Sequence, residues 1–148
     1  MRALLQRVTR ASVRVGEEQT GAIGPGVLVL LGVGPDDDDA TARTLAGKVA
    51  NLRIFRDEAG LTNRSLLDVA GSALVVSQFT LFADTRKGRR PSFLGAAPPD
   101  VAEARYEVFA RALEEVGVAV ERGRFRTEME VELVNDGPMT IWLDTEAD

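Results

Sequence analysis

The stretch "SQFTLFADTRKGRRPSF" (77–93) holds the residues best equipped for chemistry. Ser77, Gln78 and Thr80 put two hydroxyls and an amide around Phe79 at the end of an apolar run. The chain has neither histidine nor cysteine. A serine-hydrolase triad therefore lacks its base, and no GxSxG elbow surrounds Ser77. Donors without a strong base suit a different task, which is to orient a carbonyl and stabilise charge developing on its oxygen. These residues also have a plain structural use: Ser and Thr cap a strand end, Gln bonds an edge and Phe fills the core. Arg86, Lys87, Arg89 and Arg90 follow, and Gly88 and Pro91 make their segment a shaped loop rather than a helix face. Such a loop is either a solvated charge run or a grip on a phosphate-bearing ligand whose reactive end reaches residues 77–80. A third segment, "NDGPMT" (135–140), reads as a tight turn between two strands, with Gly137–Pro138 open to a cis bond.

The rest of the chain limits what these residues can do. At 148 residues it is expected to form a single domain, 1–148, with a full core. Without cysteine there is no disulfide framework, thiolate nucleophile or thiolate metal site, and without histidine the commonest metal ligand is gone. Catalysis must come from hydroxyls, amides, carboxylates, backbone groups or the substrate. The longest apolar runs are far short of a membrane span, and "MRALLQRV" lacks a secretory core, so a cytoplasmic protein with no membrane partner is expected. A net charge of −5 argues against a duplex-coating nucleic-acid binder while leaving room for a local grip on one RNA end.

Several elements must position the candidate residues. "MRALLQRV", "ASVRVG" and "GVLVLLGVG" read as three strands, the last apolar on both faces and therefore central. Asp36 to Asp39 open a helix that continues through Leu45, Val49 and Leu52. "ALVVSQF" is a second apolar strand. A second helix starts near Pro98 and Pro99, buries the side traced by Val101, Arg105, Val108, Ala112 and Val116, and stops at Gly117. Met129, Val131 and Leu133 alternate as a strand, and "MTIWL" reads as a final one. Strands outnumber helices without a regular βαβ rhythm. The expectation is an α+β fold with a largely antiparallel or mixed sheet and two main helices.

Taken together, "QRVTRASV", "GPGVLVLLGV", "NLRIF", "SQFTLFADTRKGRRPSF" and "ELVNDGPMT" resemble the D-aminoacyl-tRNA deacylases across nearly the whole chain. The most specific signatures are "SQFTL" and "NDGPMT", in that order and separation. The resemblance implies hydrolysis of the ester of D-aminoacyl-tRNA, and of glycyl-tRNA including glycine mischarged on tRNA(Ala), with L-aminoacyl substrates rejected. It implies a homodimer with sites at the interface, no metal and no cofactor. Carried across, Ser77, Gln78, Phe79 and Thr80 form the catalytic floor and wall, with the Phe79 N–H donating to the substrate carbonyl. Gly137 and Pro138 become a Gly-cis-Pro element inserted into the partner's pocket, where their carbonyls read the substrate amino group. Arg7 matches the arginine that holds this element, and Met129 a pocket residue. Arg86, Lys87, Arg89 and Arg90 remain the candidate tRNA contacts. Arg126 and Thr127 in "GRFRTEMEV" stand where the family usually carries two small residues. A generic aminoacyl esterase and a noncatalytic RNA-end binder are the competing readings.

Overall fold

The structure is a computed structural model that describes residues 1–147. Its centre is β1 (Arg2–Val15), a strand of 14 residues whose alternating burial turns Ala3 and Leu5 into the core. β1 pairs antiparallel with β2 (Glu18–Ile23) and β3 (Gly26–Gly32), and with β8 (Glu130–Asp144) along nearly its whole length. β3 pairs parallel with β6 (Ser72–Ser77), which pairs parallel with β7 (Ala119–Arg122). The short strands β4 (Phe55–Arg56) and β5 (Thr62–Arg64) form a separate hairpin. Helices α1 (Asp39–Asn51) and α2 (Pro99–Glu115) pack with one face of the sheet in the larger apolar cluster, around Phe109, Leu113, Val29 and Val75. The fold is α+β with a mixed sheet and two main helices, as the sequence implies.

Four details differ from the sequence expectation. "MRALLQRV" and "ASVRVG" form one strand, because Thr9 and Arg10 remain extended and Arg10 stays in register with Val134. "NDGPMT" is no turn between strands: β8 passes through it, and both flanks pair with β1. Val8 faces Asn135 and Gln6 faces Thr140, so the four residues 136–139 stand against Arg7 alone and bulge out. A βαβ rhythm is also present, in β3–α1–β6 and β6–α2–β7, hidden in the sequence by the hairpin and by the loop ahead of α2. Finally, α2 turns Ala102, Tyr106, Phe109 and Leu113 into the core; of the Val101–Val116 side only Ala112 is buried, Val101 and Val108 are partly buried and Val116 is exposed, because the two large aromatics fill the space against the sheet. Arg105 instead reaches the start of α1, donating to the Asp37 carbonyl (3.0 Å) and pairing with Asp39 (3.0 Å).

The acidic run at 36–39 has structural employment. Asp38 caps α1 by accepting from the Thr41 N–H (2.8 Å). The buried Asp37 accepts from the Met1 ammonium (2.8 Å) and from the Gly34 N–H (2.6 Å). Among the described residues no three potential ligands gather as a metal site requires. No helix among them is long and apolar enough to cross a membrane.

The parallel pairing of β3 and β6 needs a glycine at its start. A Cβ on Gly26 would sit 1.8 Å from the Ser72 carbonyl oxygen, whereas one on Gly24 would meet nothing within 4 Å. Gly26→Ala is expected to cost about 3 kcal/mol or more, because the obstacle is backbone that cannot move aside. Gly24→Ala should leave the urea midpoint within experimental error of the wild type, and equal midpoints for the two variants would contradict this account.

Candidate functional site

A cavity of about 490 Å³ opens at the carboxyl ends of the parallel strands β3 and β6. Ligands commonly bind there in sheets with parallel strands, where ladders end and backbone groups come free. Leu31 and Val33 line it from β3 and its extension, Ser77 from β6, and Pro99 and Ala102 from the first turn of α2. Phe93 and Ala97 close one side; Phe125 to Glu128 form another. The lining is mostly apolar, so a hydrogen bond made inside it is little weakened by competing water.

The strand β6 ends where the chemistry-bearing residues begin. Gln78 donates its N–H to Leu31 (2.8 Å) and then leaves the extended conformation (φ −145°, ψ 78°). Phe79–Phe82 form one 3-10 turn, closed by Leu81 N–H to Gln78 (3.2 Å) and Ala83 N–H to Thr80 (3.1 Å). Strand alternation therefore stops, and Ser77, Gln78 and Phe79 all line the cavity while Thr80 does not. The Phe79 and Thr80 N–H groups make no hydrogen bond among the described residues, as expected of the first amides of a helical turn. The Gln78 side-chain amide donates to the Thr80 hydroxyl oxygen, which orients that hydroxyl without supplying a base.

The turn is clamped from below. Phe82 is buried against Gly32 and Gly34, where an added Cβ would stand 3.1 and 3.2 Å from its ring. Arg2 stacks on that ring (4.3 Å), donates to the Leu81 carbonyl (2.8 Å) and pairs with Asp144 of β8 (3.2 Å). A cation at the carbonyl end of the turn also favours its dipole. Neither Arg2 nor Phe82 stood out in the sequence, since their contact joins the two ends of the β1–β3–turn path.

The basic segment is joined to the cavity through Phe93, which meets the half-exposed Phe79 edge to face (5.1 Å). Paired backbone bonds between Asp84 and Ser92 (2.7 and 2.9 Å) close the loop. Its four cations separate into two kinds. Arg86 folds back onto Asp84 (2.9 and 2.7 Å) and holds that carboxyl down at about 2. Lys87, Arg89 and Arg90 are exposed and have no hydrogen bond or ion pair among the described residues.

The Gly137–Pro138 bond is cis, at the exposed tip of the β8 bulge. Buried Arg7 donates Nε to the Asp136 carbonyl (3.1 Å) and contacts its carboxylate (3.1 Å). Arg56 grips the same carboxylate with both terminal nitrogens (2.9 and 3.1 Å), and Asn135 ties the bulge to the Arg7 and Met139 carbonyls (2.9 and 3.1 Å). Arg7 was legible in the sequence; Arg56, distant along the chain, was not. None of Arg7, Gly137 and Pro138 lines the cavity of its own chain. Counting four residues along β1 and three strand spacings across the sheet puts the bulge roughly 20 Å from it.

On the remaining wall, Met129 lies outside the cavity, packing with the smaller apolar cluster beside Val131 and Leu133. Its sulfur lies against Gly123, where an added Cβ would stand 2.8 Å from it. Arg126 and Thr127 do line the cavity, along with Phe125 and Glu128, which the sequence did not single out. Arg126 holds φ +59°, a left-handed conformation that costs a non-glycine residue about 1 kcal/mol.

The bulge clamp has a defined pH dependence. Hydrogen bonding from Arg56, then the nearby Arg7 charge, lowers the Asp136 pKa below its ordinary 3.8 despite some opposing desolvation. A lowered folded value means the clamp stabilises above pH 3.8 and is lost as pH falls through that lowered value. Asp136→Asn should therefore be less stable than wild type at pH 6, and the gap should shrink in urea titrations taken progressively below pH 3.8. A gap that stays constant down to pH 2, or widens, would show that the carboxylate charge is not what holds the bulge.

Comparison with known proteins matches this arrangement. A sequence model described as D-Tyr-tRNA(Tyr) deacylase fits residues 4–144. A protein of Roseiflexus sp. (strain RS-1) named D-aminoacyl-tRNA deacylase is 63% identical over 145 residues, covering 98% of this chain and 94% of that protein. A Bacillus pumilus (strain SAFR-032) protein of the same name is 59% identical over 145 residues, covering 98% and 99%. Among solved structures, one titled "c-Myc DNA Unwinding Element Binding Protein" superposes with a TM-score of 0.92 at 42% identity, covering 98% of this chain and 99% of that one. Another, described as a probable eukaryotic D-amino acid tRNA deacylase, shares the fold (TM-score 0.82) at 20% identity, covering 96% and 97%. With signatures, fold and relatives in agreement over almost its full length, the chain belongs to the D-Tyr-tRNA(Tyr) deacylase family.

Proposed function

We propose that this protein hydrolyses the ester between a D-amino acid and its tRNA, releasing both. The observation that carries the reading is the pair of uncommitted N–H groups at Phe79 and Thr80, on a clamped turn beside an apolar cavity, in a chain without histidine or cysteine. Such donors stabilise the oxyanion that forms when water adds to the ester carbonyl. An aminoacyl ester is labile, and the neighbouring ribose hydroxyl of the terminal adenosine activates the water, so positioning replaces a protein base. Thr80 is an orienting group rather than a nucleophile, since the one side chain bonded to its hydroxyl is an amide that takes no proton.

Chirality comes from the Gly137–Pro138 tip of a second copy in a homodimer. The tip is rigidly held, exposed and roughly 20 Å from its own cavity, so it serves a site on another chain. With amino group and carbonyl fixed, hydrogen and side chain take the two remaining directions at Cα. Backbone carbonyls filling one of these leave room only for hydrogen, which admits D residues, rejects L residues and cannot reject glycine. Glycyl-tRNA, including glycine mischarged on tRNA(Ala), is therefore a substrate. Lys87, Arg89 and Arg90 contact tRNA phosphates, and Arg86 shapes their loop. A nucleic-acid binder without catalysis is a second reading, favoured by those three free cations and by the name of the 42% identical structure.

The test compares D-tyrosyl-, L-tyrosyl- and glycyl-tRNA with chelator-treated protein. Rapid loss of the D and glycyl esters with the L ester spared is expected; RNA binding with no faster hydrolysis would select the second reading, and equal loss of both enantiomers a generic esterase. The cross-chain site is tested with a purified heterodimer of a Gly137→Ala, Pro138→Ala chain and a chain carrying Gln78→Ala and Thr80→Val. About half the wild-type activity should survive, because one pocket retains both intact halves. A folded heterodimer no more active than either parent homodimer would place both halves in one chain.

A further inference from the structure

We propose that Arg126 forms a phosphate subsite at the cavity, holding the phosphodiester on the 5′ side of the substrate's terminal nucleoside. The inference rests on the deacylase reading above and concerns binding, not the chemical step.

Arg126 is the one cation among the residues lining the cavity. Its neighbours are occupied: Arg122 pairs with Glu107 and Glu114, and Arg124 with Glu18. Arg126 has no hydrogen bond or ion pair among the described residues, not even to Glu128, which lines the same wall. Its local fold does not call for arginine either. The turn is closed by the Thr127 hydroxyl donating to the Arg124 carbonyl (2.8 Å), and φ +59° at Arg126 suits glycine better than any residue with a side chain. A guanidinium is thus carried on an unfavourable backbone with no protein partner, at the edge of a site whose substrate is an anion.

The substrate's connectivity fixes which anion. An ester carbonyl seated on the amide of Phe79, which lines the cavity, places the terminal ribose at the cavity, and the 5′-phosphate lies one sugar away. That phosphate must leave along a cavity wall, and Arg126 supplies the wall with planar, bidentate donors. Lys87, Arg89 and Arg90 do not line the cavity, so they suit phosphates further along the strand. Glu128 keeps a second anion from the same wall and confines the contact to one phosphate.

The test measures kcat and KM of wild type, Arg126→Gln and Arg126→Gly on three substrates: D-tyrosyl-tRNA, 3′-D-tyrosyl-adenosine, and 3′-D-tyrosyl-adenosine 5′-phosphate. Both variants should raise KM about tenfold on the two phosphate-bearing substrates, leave kcat within about twofold, and leave the unphosphorylated nucleoside unchanged. The slope of log binding constant against log salt for tRNA should fall by roughly one unit. Arg126→Gly, free of the backbone penalty, should be at least as stable as wild type, so lost binding is not lost folding. Equal losses with and without the phosphate, a fall confined to kcat, or an unchanged KM on tRNA would each overturn the subsite while leaving the deacylase reading intact. Wild-type protein inert toward all three substrates would instead remove that reading and the subsite with it.

Discussion

Pairing along both edges of β1 is the constraint on which the rest depends. One edge is covered by β8 over nearly the full strand, and the other is shared by β3 and β2. With both edges occupied, an extra length of chain in β8 has nowhere to go but outward. The Asp136–Met139 bulge is that excess, and its exposure follows from the register on either side. On the opposite edge, β1 fixes β3, β3 fixes β6 in parallel, and the end of β6 fixes the turn that frees the Phe79 and Thr80 amides. The donor turn and the bulge are thus held by one strand, yet at separate places along and across the sheet.

Each part is made rigid by arginines that act inside the fold. Arg2 holds the donor turn through a ring, a carbonyl and a carboxylate. Arg7 and Arg56 converge on Asp136 to hold the bulge. In both cases the guanidinium has several partners at once, which its planar fork permits and a lysine ammonium does not. Preorganised donors gain their effect from not having to move when charge develops. A chain without histidine or cysteine depends on that effect more than most, and it places its structural arginines accordingly. Lys87, Arg89, Arg90 and Arg126, which have no hydrogen bond or ion pair among the described residues, lie on the loop joined to the cavity through Phe93 and on the cavity wall.

The sequence by itself determined the chemical vocabulary and the element types. Absence of histidine and cysteine removed the histidine base and the thiolate nucleophile, and local patterns identified the central apolar strand, both helices, the acidic start of the first and the stop of the second at Gly117. It also carried the family signatures, because "SQFTL" and "NDGPMT" are contiguous. It misplaced what depends on neighbours distant along the chain. "NDGPMT" has turn composition, and only pairing of both flanks with the same strand makes it a bulge. Strand alternation would set Gln78 apart from Ser77 and Phe79, but it ceases once β6 has no further ladder partner, and all three line the cavity. The buried side of α2 was decided by the sheet that Tyr106 and Phe109 fill, whereas Met129 packs with the smaller cluster on the face it shares with Val131 and Leu133, as their alternation implies. Composition and short-range periodicity act through local backbone preference and are written along the chain. Register, edge occupancy and the meeting of Arg56 with Asp136 arise from pairings between residues many positions apart, which only the folded chain brings into contact.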